Sequence, residues 1–332
     1  MKFKEVIGID VGKITNEARI HTKQVTFSFD NNSKGFKSFL KWTEKNINCP
    51  LENLLIAFEH TGIYSFPLSV FLTEEKINYI ILPGLEIKRS LGIQRGKDDK
   101  IDAQKIALYA YRRKEEITPY KLPSKEFIKI RRLLSLREKL VKQRAGYEAT
   151  LKENKKFLIK KGNQLLFNVH KKMIKELNKQ IKKVDDELQN IIAEDEQIKN
   201  IYDLIITIKG VGPQTALFVI ALTNGFTLFK NYRKFASYAG IAPFPYKSGI
   251  SIKGRTKINH LANKKIKGLL SSCATSAVQY NPEMKAYYER RISEGKHKMS
   301  TLNIVRNKIL ARIFAVAKRG TPYVNTLGYS SL

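Results

Sequence analysis

Three stretches of this chain are apolar at almost every position: "EVIGIDVG" at 5–12, "NLLIAFEHTG" at 53–62 and "INYIILPG" at 77–84. A strand with one wet face alternates apolar and polar residues, whereas an unbroken apolar run belongs to a strand covered on both faces. Between and around these runs lie "ARIHTKQVTFSF" at 18–29, read as further strand, and two helical patterns, "SKGFKSFLKWTEKNI" with Ser33 as its expected cap and "SFPLSVFLTEEK". Strands alternating with helices call for an α/β layer fold over residues 1–120.

The next segment, 121–199, changes character. From 125 to 198 it has no Pro and many Lys and Glu. Ile174, Leu177, Ile181, Val184, Leu188 and Ile191 step by three and four, a heptad seam. Leu133, Leu136, Leu140, Tyr147 and Leu151 suggest a second, less regular seam, with "KKGNQLL" breaking the two. An antiparallel helical hairpin or a dimerising coiled coil fits this pattern. Residues 200–332 read as mostly α-helical. They open on "IKGVGPQTALFVIAL", where Gly210 and Gly212 flank a turn and Pro213 suits a first helical position. This is the look of a helix-hairpin-helix, whose turn amides can receive a phosphate. The tail "RRISEGKHKMSTLNIVRNKILARIFAVAKRG" reads as a basic helix with an apolar stripe.

Charge sets the partner. The 332 residues carry 61 Lys plus Arg against 30 Asp plus Glu, a formal net charge of +31. Such a surplus predicts a polyanion, nucleic acid before an acidic membrane surface, because the bases are spread along the whole chain. No apolar run is long enough to span a bilayer and the start reads as a strand, not a signal peptide. Cys49 and Cys273 form no CxxC motif, which excludes a cysteine-built zinc site and points to a reducing cytoplasm.

Against this surplus, "KDDKID" at 97–102 holds three acids in six residues. Asp10 and Glu59 end two of the apolar runs, and Asp99 and Asp102 sit three apart at a helix start. Acids ending separate elements of one small domain can converge on one cleft. Hard divalent cations, Mg²⁺ or Mn²⁺, relieve their mutual repulsion and bridge substrate phosphates. Singly, each acid is as well explained as a turn or cap residue. Asp98 would point elsewhere; Lys97 and Lys100 either hold phosphate or offset local charge. His60 beside Glu59 either touches substrate or is simply packed or solvent-facing.

Together, "IGIDVGK", "AFEHTG", "KDDKIDAQKIA", "IKGVGPQTA", "FASYAGIAPFPYKSG", "GRTKINHLANKKIKGLL" and "MSTLNIVRNKILARIFAV" resemble the insertion-sequence-110 family of transposases, in the family's own order. The resemblance implies a RuvC/RNase H-like DEDD domain at 1–120, a coiled-coil middle at 121–199 and a C-terminal transposase domain at 200–332. It places the acidic tetrad on Asp10, Glu59, Asp99 and Asp102, and a nucleophilic serine on Ser248 of "PFPYKSG". It implies a recombinase that links its serine to a DNA phosphate with metal assistance. A structured non-coding guide RNA would pair with donor and target DNA. The assembly would be a dimer to tetramer in which one protomer's serine completes another's acidic site, in a bacterial cytoplasm and at the nucleoid when active. On the residues alone, Ser248 is an ordinary loop serine with Ser251 as the alternative nucleophile, and Tyr246 a packing or phosphate-contact residue. Lys209, Gly210, Gly212, Lys253, Arg255, Lys257, Lys264 and Lys265 are the candidate nucleic-acid contacts. Two other functions stay open: a RuvC-like metal-dependent junction nuclease with no covalent intermediate, and a non-catalytic nucleic-acid scaffold.

Overall fold

The computed structural model describes residues 3–90, 99–229, 231–248 and 252–324, and the chain divides into two units at 1–122 and 123–332. The first unit contains β1 (Glu5–Val11), β2 (Thr15–Ile20), β3 (Thr26–Asp30), α1 (Ser33–Asn46), β4 (Leu54–Glu59), α2 (Phe66–Glu74), β5 (Tyr79–Leu82), α3 (Gly84–Ser90) and α4 (Asp99–Arg112). The strands form one mixed sheet in the order β3-β2-β1-β4-β5. β1, β2 and β3 are an antiparallel meander; β4 runs parallel to both β1 and β5.

The apolar runs do what their patterning requires. Alternate residues go to opposite faces. Ile7, Ile9, Ile56, Phe58 and Tyr79 pack with Phe36 and Phe39 of α1 and Leu68 and Leu72 of α2. Val6, Leu55, Ala57 and Leu82 pack with Ile87 of α3 and Ile106, Tyr109 and Ala110 of α4. The cap of α1 is Asn32 rather than Ser33: its side chain accepts a hydrogen bond from Gly35 N–H at 3.0 Å. Asn32 keeps extended backbone while Ser33 already begins the helix.

One contact sets the position of α4. Gly8 lies under it so closely that a Cβ would stand 2.3 Å from both Ala103 O and Ala107 N. Only a glycine permits this approach.

The second unit begins with α5 (Lys125–Phe157) and α6 (Gln164–Glu194). Lys129 meets Glu187, Arg137 meets Asp185 and Arg144 meets Asn178, so the two helices run antiparallel as one hairpin. Leu177, Ile181, Val184, Leu188 and Ile191 are buried as the heptad seam requires. The facing stripe on α5 follows expectation in part: Leu133 and Leu140 pack against the core of this unit, and the Tyr147 ring meets His170 of α6. Ile130, Leu134 and Leu151 are its buried residues, and Leu136 is 46% exposed. Leu134 is one turn from Ile130, whereas Leu136, two residues on, falls on the far side.

Then follow α7 (Glu196–Ile206), α8 (Pro213–Thr223), α9 (Tyr232–Tyr238), β6 (Pro243–Ser248), β7 (Ile252–Ile258), α10 (Lys264–Tyr280), α11 (Pro282–Ser293) and α12 (Lys298–Arg319). The expected second and third segments share one core: Ile130, Leu134, Leu188 and Ile191 pack with residues of α7, α8, α10 and α12. The basic tail is two helices, not one. Gly295 at φ +79° ends α11, and the His297 ring accepts from Met299 N–H to open α12. Among the described residues no helix is long and apolar enough to cross a membrane.

Arg306 on α12 is 7% exposed, and burial lowers its pKa. Its guanidinium donates to Asn303 Oδ1 at a long 3.4 Å, and among the described residues its Nε has no partner.

Two stability measurements check this reading. Gly8→Ala should lower stability by about 1–3 kcal/mol, because the clash is with backbone that cannot swing away; an unchanged thermal midpoint contradicts the tight seat. Arg306→Met should hold or raise the midpoint, because it removes a buried charge that has no carboxylate partner among the described residues. A large fall would show that the guanidinium stabilises the fold.

Candidate active site

β1 and β4 are neighbours, with Ile9 paired to Phe58 at the end of their ladder. One residue on, Asp10 and Glu59 come abreast at the carboxyl ends of two parallel strands. Val6 and Gly8 on β1, and Leu55 and Ala57 on β4, already face α4. The period of two therefore puts Asp10 and Glu59 on that same face. Asp102 belongs to the turn of α4 that Gly8 admits, and Asp99 is the first residue of that helix, one turn earlier. Asp10, Glu59 and Asp102 thus lie on one side of the sheet, towards the carboxyl ends of two of its inner strands, and the backbone of Asp99 belongs to the same helix as Asp102.

Glu59 is accommodated by a second glycine. A Cβ on Gly84, at the start of α3, would stand 1.9 Å from Glu59 Oε1. Asp102 is paired with Lys105 at 2.7 Å. Asn31 ties the loops that follow the two strand-end acids. Its side-chain amide donates to Gly12 O at 2.9 Å and Tyr64 O at 3.0 Å, and its backbone N–H donates to Ile14 O at 2.7 Å. His60 is exposed and its Nδ1 accepts from Gly62 N–H in its own loop.

Three of these residues escaped the sequence reading. Glu17 lies directly across from Asp10 in the β1–β2 ladder, so a fifth carboxylate borders the tetrad. Its signal was the hairpin register, which depends on the Gly12–Ile14 turn. Lys105 had a signal in its spacing of three from Asp102 on a helix. Asn31 had none.

All four tetrad members are oxygen donors, which suits a hard divalent ion. Among the described residues, however, no three His, Cys, Asp or Glu side chains are gathered closely enough to hold a metal. The side chains of Asp99 and Lys100 lie outside the described residues, as do Lys97 and Asp98 entirely.

In the second unit, Ser248 is the last residue of β6, paired with Ile252 of β7. The side chains of Ser248, Lys253 and Arg255 and the whole of Ser251 lie outside the described residues. Tyr246 is 65% exposed. Lys257 and Lys264 are exposed, whereas Lys265 reaches Glu138 at 3.1 Å and sits over the Phe218 ring.

The "IKGVG" turn joins α7 to α8 with Lys209 exposed and Gly210 at φ +100° against Ala277 of α10. The Gly212 amide is turned towards the Cys273 thiol, which also meets Thr215 Oγ1 at 3.2 Å. Burial is the main cause raising the Cys273 pKa.

Two family models match this chain. A DEDD-type transposase model of IS110 covers residues 7–154, and the model described as "Transposase IS116/IS110/IS902 family" covers residues 202–289. Relatives called "Pilin gene-inverting protein", from Moraxella bovis and Moraxella lacunata, are each 28% identical over 331 residues, covering 96% of this chain and 98% of the relative. A protein of insertion element IS110 from Streptomyces coelicolor is 31% identical over 121 residues, covering 36% of this chain and 29% of its own. The order of the matched segments, the mixed sheet that carries Asp10 and Glu59, and full-length relatives agree: the chain belongs to the IS110 family of transposases.

Proposed function

We propose that this protein cuts and rejoins DNA through a phosphoserine intermediate on Ser248, guided by a structured non-coding RNA. Asp10, Glu59, Asp99 and Asp102 would hold Mg²⁺ or Mn²⁺. The observation that supports the reading is that Asp10 and Glu59 end two adjacent parallel strands on the face covered by the glycine-seated helix of Asp102. A divalent ion there supplies charge neutralisation for a bound phosphate.

The serine step balances without an external energy source. Ser248 Oγ attacks phosphorus, an O–P bond forms, and the proton leaves the hydroxyl. The displaced sugar oxygen departs with its electron pair and takes up a proton. Attack by a sugar hydroxyl of another strand reverses these changes, so one phosphodiester is exchanged for another. A serine hydroxyl needs activation by a base or a metal, and the tetrad is the candidate for it, with the serine of one protomer working with the acids of another. The "gene-inverting" name of the Moraxella relatives fits this chemistry, because inversion requires strand cutting and rejoining. The exposed Lys209, Lys257 and Lys264 and the strand positions Lys253 and Arg255 are the proposed backbone contacts. Gly210, Gly212 and Lys265 are proposed contacts as well, although the Lys265 ammonium already meets Glu138 within the chain.

Asp102→Asn should abolish strand exchange while leaving RNA and DNA affinity within about twofold, because binding rests on distributed positive charge. Unchanged exchange in this variant would favour a scaffold. Ser248→Ala should abolish a covalent protein–DNA adduct on a denaturing gel; metal-dependent cleavage that survives the change would favour a nuclease. Gly84→Ala should retain the fold yet lower the exchange rate by about 100-fold, because the new methyl displaces the Glu59 carboxylate. Full activity in that variant would remove Glu59 from the site.

A further inference from the structure

Among the described residues β6 and β7 pair only with each other, as a two-stranded sheet. Pro243, Phe244, Pro245 and Tyr246 are exposed on one strand, and Gly254, Thr256 and Lys257 on the other. A lone two-stranded ribbon is marginal in water. This one is anchored at its base, where Ile241 O accepts from the Asn303 and Asn307 side-chain amides at 2.9 and 3.0 Å. Beyond that anchor it projects without a core of its own.

Its local structure is shaped for display. Phe244 pairs with Lys257, but Tyr246 pairs with Gly254, so β7 carries one extra residue opposite Pro245. Proline has no amide to lose at such a bulge, and the bulge tightens the ribbon's twist. Gly254 lets the Tyr246 ring lie flat across the ribbon, because a Cβ there would stand 2.6 Å from Tyr246 Cδ1. The ring still remains 65% exposed, and Phe244, two residues earlier on the unbulged strand, is 44% exposed. Residues 243–258 include Lys247, Lys253, Arg255 and Lys257 and no Asp or Glu.

Exposed rings interleaved with unopposed bases match one partner chemistry: base faces for the rings and phosphates for the cations. We propose that the β6–β7 ribbon docks on nucleic acid, with Tyr246 and Phe244 stacking on bases beside the phosphate that Ser248 attacks. The rise along a strand puts Tyr246 about 7 Å from Ser248, roughly two steps of a nucleic-acid strand. The ribbon thus both grips the substrate and sets which phosphate meets the serine. The placement beside that phosphate rests on the proposed serine chemistry; the docking does not.

The test uses the full chain and a fluorescent single-stranded DNA oligonucleotide of mixed sequence, read by anisotropy at several salt concentrations. Tyr246→Ala and Phe244→Ala should each weaken binding about five- to 150-fold without changing the salt dependence. Tyr246→Phe, which keeps the ring, should bind like the parent. Gly254→Ala should weaken binding by displacing the ring, and Lys257→Ala should lower the salt slope by about 0.7. Parent-like affinity in both ring-to-Ala variants overturns the proposal. Altered oligomeric state on size exclusion with unaltered DNA affinity also overturns it, by making the ribbon a contact between copies. Far-ultraviolet circular dichroism confirms that each variant is folded. Absence of an adduct on Ser248 would sink the serine chemistry while the affinity measurements still report on the ribbon.

Discussion

The acidic site depends on the contact between Gly8 and α4. A sheet and a helix normally keep side chains between their backbones. Here Ala103 O and Ala107 N occupy the space that any side chain at position 8 would need. The helix that carries Asp102 is thereby drawn against the strand that carries Asp10. A second glycine, Gly84, leaves room for Glu59 in the same way. Backbone that approaches this closely cannot drift, so the carboxylate positions inherit the stiffness of the sheet.

Charge is divided between two jobs. The surplus of Lys and Arg is spread along the chain, suited to gathering a polyanion without choosing a sequence. Asp10, Glu17, Glu59 and Asp102 sit against that surplus on elements of one sheet domain. Asp102 is paired with Lys105, so the site has an internal cation that an incoming ion would have to displace. Glu17 across from Asp10 adds to the local negative charge. In the proposed function these acids would hold a divalent cation on a protein whose net charge of +31 favours nucleic acid.

How much could be read from the residues follows from which ones are buried. β1, β4 and β5 were legible because burial on both faces forces apolar residues at every position. The α6 seam was legible because Leu177 through Ile191 are buried at heptad spacing. The α5 seam was legible in part: Leu133, Leu140 and Leu151 do turn inward, whereas Leu136 imitates the period while facing away, and the buried Ile130 and Leu134 fell outside the pattern. The β6–β7 ribbon was missed because it has no core face and so no alternation to find. Tyr246 was legible only as a packing or phosphate-contact residue, and its fit against Gly254 needed the register. In the acidic site, Asp10, Glu59, Asp99 and Asp102 stood out as element ends. Glu17 and Asn31 needed a fold, since a hairpin register and a side chain bridging two loops leave no periodic trace.

The most direct test of the account is to digest the trapped protein–DNA species and locate the nucleotide-bearing residue by mass spectrometry. The account predicts nucleotide on the peptide containing Ser248, at that residue, in protein with an intact tetrad, and none when Asp102 is Asn. Nucleotide on Tyr246 or Ser251, or complete strand exchange with no nucleotide bound to protein, would contradict it.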